Sequence, residues 1–299
     1  MWNMHSIRRS DVELVSHARL LAAELPASMR NQLEAFRIAP PPAGCLLLRG
    51  LPVGDLPPTP AAPTDPTTKS DDTDLRLLAV ASVLGEPVGY LPEHGGSVVQ
   101  NIVPVQSNAS RQTSTSSAVD LMFHTEAAFH PHRPRYLLLF CLRGDPQART
   151  TVASIHGALP YLDPDVIEVL FQPHFRCAVD ESYLHGRSNV LGEPVAVLTG
   201  TLTDPTMVFD QDLMVGMDEE AEEALHLLGE ALQSHHASVT LEPGDLLVVD
   251  NDMVVHGRSP FAARFDGTDR WLQRTFVVAD LAPSDGERTG RVITTVFGV

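Results

Sequence analysis

Phe123-His124-Thr125-Glu126, read with the distant stretch Asp250-Asn251-Asp252-Met253-Val254-Val255-His256, decides how this chain folds. His124 and Glu126 are two residues apart, and positions i and i+2 of an extended strand point to one face. The spacing predicts an imidazole and a carboxylate converging on one spot, with Thr125 turned away. His256 can add a third ligand from a distant strand. Two histidines and one carboxylate with open positions form the facial set that holds non-haem Fe(II). A His-x-Glu alone is commonly a surface or core feature, so its surroundings must carry the weight.

The second stretch has a definite shape. Glu242-Pro243-Gly244-Asp245 predicts a turn, Leu246 to Asp250 a buried strand, and Asn251-Asp252 a short polar break before His256-Gly257-Arg258. A strand gives the histidine a rigid base. Other histidines, including His130, His132, His174, His185, His235 and His236, read as surface or hydrogen-bonded core residues. Arg258, Arg264, Arg270 and Arg274 follow in a chain that is otherwise strongly acidic. Arg270 and Arg274, four apart in a strand-like segment, share a face. A guanidinium is a fixed fork that grips a carboxylate with two hydrogen bonds. An oxygenase using 2-oxoglutarate needs one such fork, and an amino-acid substrate needs a second. The ordinary alternative is a set of surface ion pairs.

Outward from these stretches the chain changes character. Asp11 to Glu24, Met29 to Phe36 and Asp74 to Leu84 read as helices, with Ser10-Asp11 as a cap and Cys45 to Leu48 as a strand. Residues 53–72 are rich in proline and polar side chains and read as a loop. From Ser97 onward strand signals dominate. They run through Ser97–Val103, Val119–Phe129, Tyr136–Arg143, Thr150–Ile155 and Trp271–Ala279, with shorter candidates at His174–Val179, Pro194–Leu198 and Met207–Phe209. Glu219 to Gln233 is an amphipathic helix. Many short strands between turns predict a mainly β architecture with helical additions, of the sandwich or jelly-roll kind. The expected organisation is one domain over 1–299. Residues 1–90 are mostly helical, and 91–299 form a β core with an inserted helix near 217–234.

Composition narrows the partners. The chain has 21 Lys+Arg against 38 Asp+Glu and a formal charge of −17, which argues against nucleic acid or an anionic membrane surface. Cys45, Cys141 and Cys177 are far apart in apolar runs and predict buried thiols in a reducing cytoplasm. No signal peptide is expected, and no apolar run approaches the roughly 18 residues that span a bilayer.

The chain resembles the clavaminate synthase-like group of Fe(II)/2-oxoglutarate oxygenases. The group includes amino-acid hydroxylases acting on arginine, lysine and asparagine. The resemblance runs over nearly the whole chain. It is carried by Leu46-Leu-Leu-Arg-Gly-Leu-Pro52, Phe123-His-Thr-Glu126, Tyr136-Leu-Leu-Leu-Phe-Cys-Leu-Arg143, Pro243-Gly-Asp-Leu-Leu-Val-Val-Asp-Asn251, His256, and Phe265-Asp-Gly-Thr-Asp-Arg-Trp-Leu-Gln-Arg274. Glu126 stands where the wider superfamily usually has Asp, which is this group's habit. The resemblance implies a double-stranded β-helix (jelly-roll) core. It also implies Fe(II), 2-oxoglutarate and O2 as cofactors, and hydroxylation coupled to oxidative decarboxylation of 2-oxoglutarate. A role in natural-product, antibiotic-type biosynthesis follows from the same resemblance.

Residue by residue, the resemblance makes His124, Glu126 and His256 the iron ligands. Arg270 would grip the distal carboxylate of 2-oxoglutarate, with Thr150, or Thr151 if the register shifts by one, hydrogen-bonded to it. Arg274 would hold the substrate α-carboxylate, with Ser114 and Gln100 in the substrate pocket. Asp210 would contact the substrate's side chain or amino group. Asp212 is two further on, and in an extended segment both carboxylates face one way. Paired acids are costly unless a cation lies between them, so a free cationic amino acid, arginine or lysine, hydroxylated at C3 or C4, is the expected substrate. If one acid only caps a turn, asparagine or another polar or carrier-bound amino acid stays open. Loops 53–72 and 181–193 are candidate lids. The competing classes are a jelly-roll enzyme using metal without 2-oxoglutarate and a non-catalytic jelly-roll binding protein.

Overall fold

The structure, a computed structural model, describes residues 11–65, 69, 71–184 and 186–298. Ser10, expected as a helix cap, and His185 lie outside the described residues.

The protein is mainly sheet, with helices packed on it. The strand Tyr136–Arg143 is apolar almost throughout because both of its faces are covered. Leu138, Phe140 and Leu142 pack against Leu33, Phe36, Leu77 and Val80 of the helices Ala27–Ile38 and Asp72–Leu84. Leu137, Leu139 and Cys141 point the other way, beside Leu247, Val249, Leu272 and Phe276 of the two neighbouring strands, in one cluster with Val152, Val239, Met253 and Val254. This strand is central in the larger sheet, whose order is Cys45–Leu48, Leu246–Asp250, Tyr136–Arg143, Trp271–Val278, Glu86–Tyr90, Val292–Ile293 and Arg288–Thr289. Gln100–Ile102 also pairs with Trp271–Val278. All the pairings are antiparallel except that of Val292–Ile293 with Glu86–Tyr90.

A second sheet runs Ala237–Thr240, Arg149–Ser154, Val254–Arg258, Leu121–His124. Met253 and Val254 turn toward the larger sheet and share its core. Phe123, Ala153 and Val255 face outward and are covered by the helix Glu219–Ser234 through Leu225, Leu228 and Leu232. Asp218 caps that helix by accepting the Ala221 N–H at 2.9 Å. Leu228 and Leu232 are fully buried, and each such side chain contributes about 2 kcal/mol of transfer free energy.

Several elements differ from expectation. The strand expected over Val119–Phe129 is confined to Leu121–His124, because the chain turns at Thr125 and Ala127 takes a left-handed φ of 52°. Glu86–Tyr90 and Ala237–Thr240 form strands without a clear local signal. The first contains Pro87 and Gly89, and its pairing with Trp271–Val278 is what makes it extended. Between Pro194 and Leu198 only a single bridge forms, Phe175 to Val195, and the strand lies further on at Leu198–Thr201.

Candidate active site

The two sheets bring the marked residues together at one end of the space between them. His256 lies opposite His124 in the register of Val254–Arg258 with Leu121–His124. Their rings stand 4.3 Å apart, centroid to centroid. Gly257 allows this approach: a Cβ there would sit 2.4 Å from the Leu121 carbonyl oxygen. Glu126 is not on the strand with His124. It sits in the turn that follows, so strand alternation is not what aims it. Thr125 is turned away as expected. Its N–H donates to the Phe209 carbonyl at 2.7 Å and its hydroxyl accepts from the Phe209 N–H at 3.0 Å.

One ligand atom from each of His124, Glu126 and His256 lies within 4.8 Å of the others, and this is the metal-capable cluster found among the described residues. The donor set suits Fe(II). His124 Nδ1 is 2.9 Å from the Met122 carbonyl oxygen, a contact that fixes the ring and leaves Nε2 for a metal. His256 Nε2 is 3.5 Å from Glu126 Oε2, while its buried Nδ1 has no hydrogen-bond partner among the described residues. Burial pulls the His256 imidazole down to about 4, with the charge of His124 adding and Glu126 opposing. It therefore stands neutral, as a metal ligand must. Burial pushes the Glu126 carboxyl up, but Arg274, His256 and His124 together hold it below the usual carboxylate range.

Two cavities meet at this cluster. The smaller, about 50 Å³, is bordered by His256, Thr150, Arg270, Arg258 and Leu272. Arg270 Nη2 donates to the Thr150 hydroxyl at 3.3 Å, and both residues are buried. Thr150 falls on the inward side of its strand, with Val152, whereas Thr151 alternates outward and its hydroxyl lies beside Gly257. Arg270 and Arg274 share a face, as their spacing predicted. The larger cavity, about 420 Å³, is bordered by His124, Glu126, Arg274, Asp210 and Asp212. Ser114 borders both cavities.

Arg274 is almost completely enclosed. It donates to the Glu126 carboxylate at 3.2 and 3.4 Å, to Gln100 Oε1 at 2.6 and 2.9 Å, and to Glu93, with its guanidinium over the Phe276 ring. Gln100 therefore stands against Arg274, and its Nε2 is buried without a hydrogen-bond partner among the described residues. Glu93 carried no sequence signal, because 181 residues separate it from Arg274. Burial pushes its carboxyl up, with Glu126 adding and Arg274 opposing.

The segment holding Asp210 and Asp212 is a turn, not extended. Asp210 Oδ1 accepts the N–H groups of Asp212 at 3.0 Å and Leu213 at 2.9 Å, so Asp210 caps this turn while bordering the cavity. Burial pushes the Asp210 carboxyl up and the His124 charge opposes it. Ala62 and Pro63 from one candidate lid, and Ser182 and Tyr183 from the other, border the same cavity. The first of these segments is tied down. Thr59 bonds Gly267 and Asp269, Arg143 holds Thr59 and Pro57, and Asn101 reaches the Pro63 carbonyl.

Residues 43–276 match the model of the taurine catabolism dioxygenase TauD, TfdA family. The chain belongs to this family. It is 39% identical over 292 residues to an L-lysine 3-hydroxylase of Catenulispora acidiphila, covering 95% of this chain and 82% of the relative. It is 40% identical over 286 residues to an L-asparagine oxygenase of Streptomyces coelicolor, covering 94% and 85%. The non-haem iron oxygenase OrfP has been solved with Fe and alpha-ketoglutaric acid, and that structure superposes with a TM-score of 0.85 at 33% identity, covering 94% of this chain and 90% of that one. OrfP with Fe, succinate and (3S)-hydroxy-L-Arg gives 0.86 at 32%, covering 94% and 91%. The family member described here is an Fe(II)/2-oxoglutarate-dependent dioxygenase, and its cofactor set is Fe(II), 2-oxoglutarate and O2. No helix among the described residues is long and apolar enough to cross a membrane.

Proposed function

We propose that this dioxygenase hydroxylates a free cationic L-amino acid, arginine or lysine, at C3 or C4, in natural-product biosynthesis. The observation that carries the proposal is the make-up of the larger cavity. One guanidinium, Arg274, and the carboxylates of Glu93, Asp180, Asp210 and Asp212 border the space that His124 and Glu126 also border. An amino acid with a cationic side chain has the complementary charges: a carboxylate at one end and a cation at the other. The L-lysine 3-hydroxylase relative and the OrfP complex with hydroxylated arginine favour the same reading.

In this reading His124, Glu126 and His256 hold the iron. Arg270 and Thr150 take the distal carboxylate of 2-oxoglutarate in the smaller cavity. Arg274, steadied by Gln100, orients the substrate carboxylate, Ser114 lines the boundary, and Asp210 with Asp212 receives the side chain. Iron and 2-oxoglutarate, when bound, supply the oxidising chemistry. The residues decide which C–H faces it, and they keep competing reactions out. Residues 1–299 act as one domain on a double-stranded β-helix (jelly-roll) core, an assignment favoured by two facing sheets that are antiparallel but for one short edge pairing. The partner is a small molecule, neither nucleic acid nor membrane. The free, buried Cys141 and Cys177 agree with a cytoplasmic location. Loops 53–72 and 181–193 are both candidate lids: each borders the cavity, and each is anchored, the first through Thr59 and Pro63 and the second through Asn189, which accepts the Val179 N–H at 3.1 Å and donates to the Val179 carbonyl at 2.8 Å.

The test is succinate formation with Fe(II), ascorbate, 2-oxoglutarate and O2 across the free proteinogenic amino acids, with product masses recorded. Addition of one oxygen to arginine or lysine, abolished by Asp210→Asn with Asp212→Asn, is the expected result. Oxygen added instead to asparagine, the substrate named for the other relative, would reject the cationic pocket and keep the oxygenase.

A further inference from the structure

His124 and His256 are held by strand ladders, but Glu126 is not. Its backbone lies in a buried turn followed by the left-handed Ala127. What takes the place of the ladder is one side chain, Asn251. This residue sits at the bend where the chain passes from Leu246–Asp250 in the larger sheet to Val254–Arg258 in the smaller one, and it is fully buried. Asn251 Oδ1 accepts the Glu126 N–H at 2.8 Å. Its Nδ2 donates to the Glu126 carbonyl at 3.1 Å and to the Pro134 carbonyl at 2.9 Å. Both backbone polar groups of Glu126 are thus satisfied by one amide, and would be buried and unpaired without it.

The bend itself is braced. The Asn251 N–H donates to the Arg135 carbonyl at 2.9 Å. The Arg135 guanidinium pairs with Asp250 at 2.6 Å and with Asp252, the residues on either side of Asn251. The amide therefore has little freedom to follow Glu126 if that turn shifts.

We infer that Asn251 is a positioning residue: it fixes the backbone of Glu126 so that the carboxylate is set toward His124 and His256. The inference rests on the reading of these three residues as the metal ligands. Among the described residues the Asn251 side chain bonds only backbone groups, those of Glu126 and Pro134, and borders neither cavity, so its action on the metal runs through the Glu126 backbone. An interaction that orients a ligand is commonly worth about 10- to 100-fold in metal affinity.

A double-mutant cycle with Co(II) as the probe metal tests this, titrated anaerobically by absorption and by calorimetry. Asn251→Asp keeps the acceptor for the Glu126 N–H and removes both donors. It should weaken Co(II) binding about 10- to 100-fold and alter the Co(II) absorption band. In a Glu126→Ala background, the same change should alter Co(II) affinity less than about twofold, since the ligand it positions is gone. Unchanged affinity in the single variant overturns the inference, and so does an equal loss in both backgrounds, which would mark general structural damage. If Asn251→Asp lacks a cooperative unfolding transition, Asn251→Ser enters the cycle in its place. A parent protein that binds no Co(II) would instead overturn the assignment of the ligands themselves.

Discussion

Arg274 Nη1 lies 3.2 Å from Glu126 Oε1, inside hydrogen-bond reach of a carboxylate that also faces His256. One buried guanidinium thus joins the candidate metal cluster to the wall of the larger cavity. Its second arm is held by Glu93 and Gln100. Removing the charge from such a pair leaves the carboxylates unbalanced in a buried place, a change commonly costing about 2–5 kcal/mol. Arg274→Gln should raise the amino-acid KM about 100-fold and the 2-oxoglutarate KM only a few-fold, roughly 2.7 kcal/mol on one substrate. Steady-state succinate assays with each substrate varied in turn check this. Equal rises in both constants would contradict the assignment of Arg274, which borders both cavities, to the amino acid rather than to 2-oxoglutarate.

The pair Arg270 and Thr150 makes a sharper comparison. Arg270→Gln should raise the 2-oxoglutarate KM by about two orders of magnitude, through loss of a charged, two-bond grip. Thr150→Val loses one hydroxyl of nearly equal volume and should cost about 1 kcal/mol, or roughly fivefold in the same constant. Thr151→Val, one residue along and facing out of the cavity, should leave it unchanged. A larger effect from Thr151 than from Thr150 would mean that the strand is shifted by one residue.

Gly257 is the position where side-chain volume decides the site. A Cβ at Gly257 would stand 2.4 Å from the Leu121 carbonyl oxygen and 3.0 Å from the Thr151 hydroxyl. Gly257→Ala should push the strands bearing His124 and His256 apart. The expected outcome is a loss of about 1–3 kcal/mol in urea unfolding, typical of overpacking, together with weakened metal binding. Wild-type stability in this variant would show that the strand pair has room to give.

His130 packs between Tyr90 and Phe297, almost without solvent contact. Burial pulls its imidazole down to about 3, with the charges of His132 and Arg133 adding. The folded state therefore keeps it neutral where the unfolded chain, titrating near about 6.5, takes up a proton. The sign follows: the stabilisation is complete above about 6.5 and is lost as pH falls from there toward about 3. His130→Asn retains an acceptor for the His132 N–H that His130 Nδ1 now serves at 2.9 Å. Relative to this variant, the parent protein should lose roughly 2.7 kcal/mol between pH 7.5 and 4.5, about 1.4 per pH unit below the unfolded value. Urea midpoints at the two pH values measure it. A constant difference would place His130 in contact with solvent.

Much of the site is legible in the sequence. The residue types and their short spacings mark Phe123–Glu126 and Asp250–His256, and a spacing of four places Arg270 and Arg274 on one face, because backbone periodicity is a local property. The apolar runs Tyr136–Arg143 and Leu246–Asp250 announced strands for the same reason, and their lack of alternation matches burial on both faces. Other features waited for the tertiary structure. Glu126 meets the histidines from a turn pinned by Asn251, 125 residues away. Arg274 is shared with Glu93, 181 residues away. Thr150 faces inward and Thr151 outward only because Arg149–Ser154 pairs with Val254–Arg258 in one register. Local sequence determines which chemical groups exist and which way a strand alternates. Which alternation faces the site, and which distant side chain satisfies a buried backbone group, is decided by strand pairing and burial, where every polar group must find a partner.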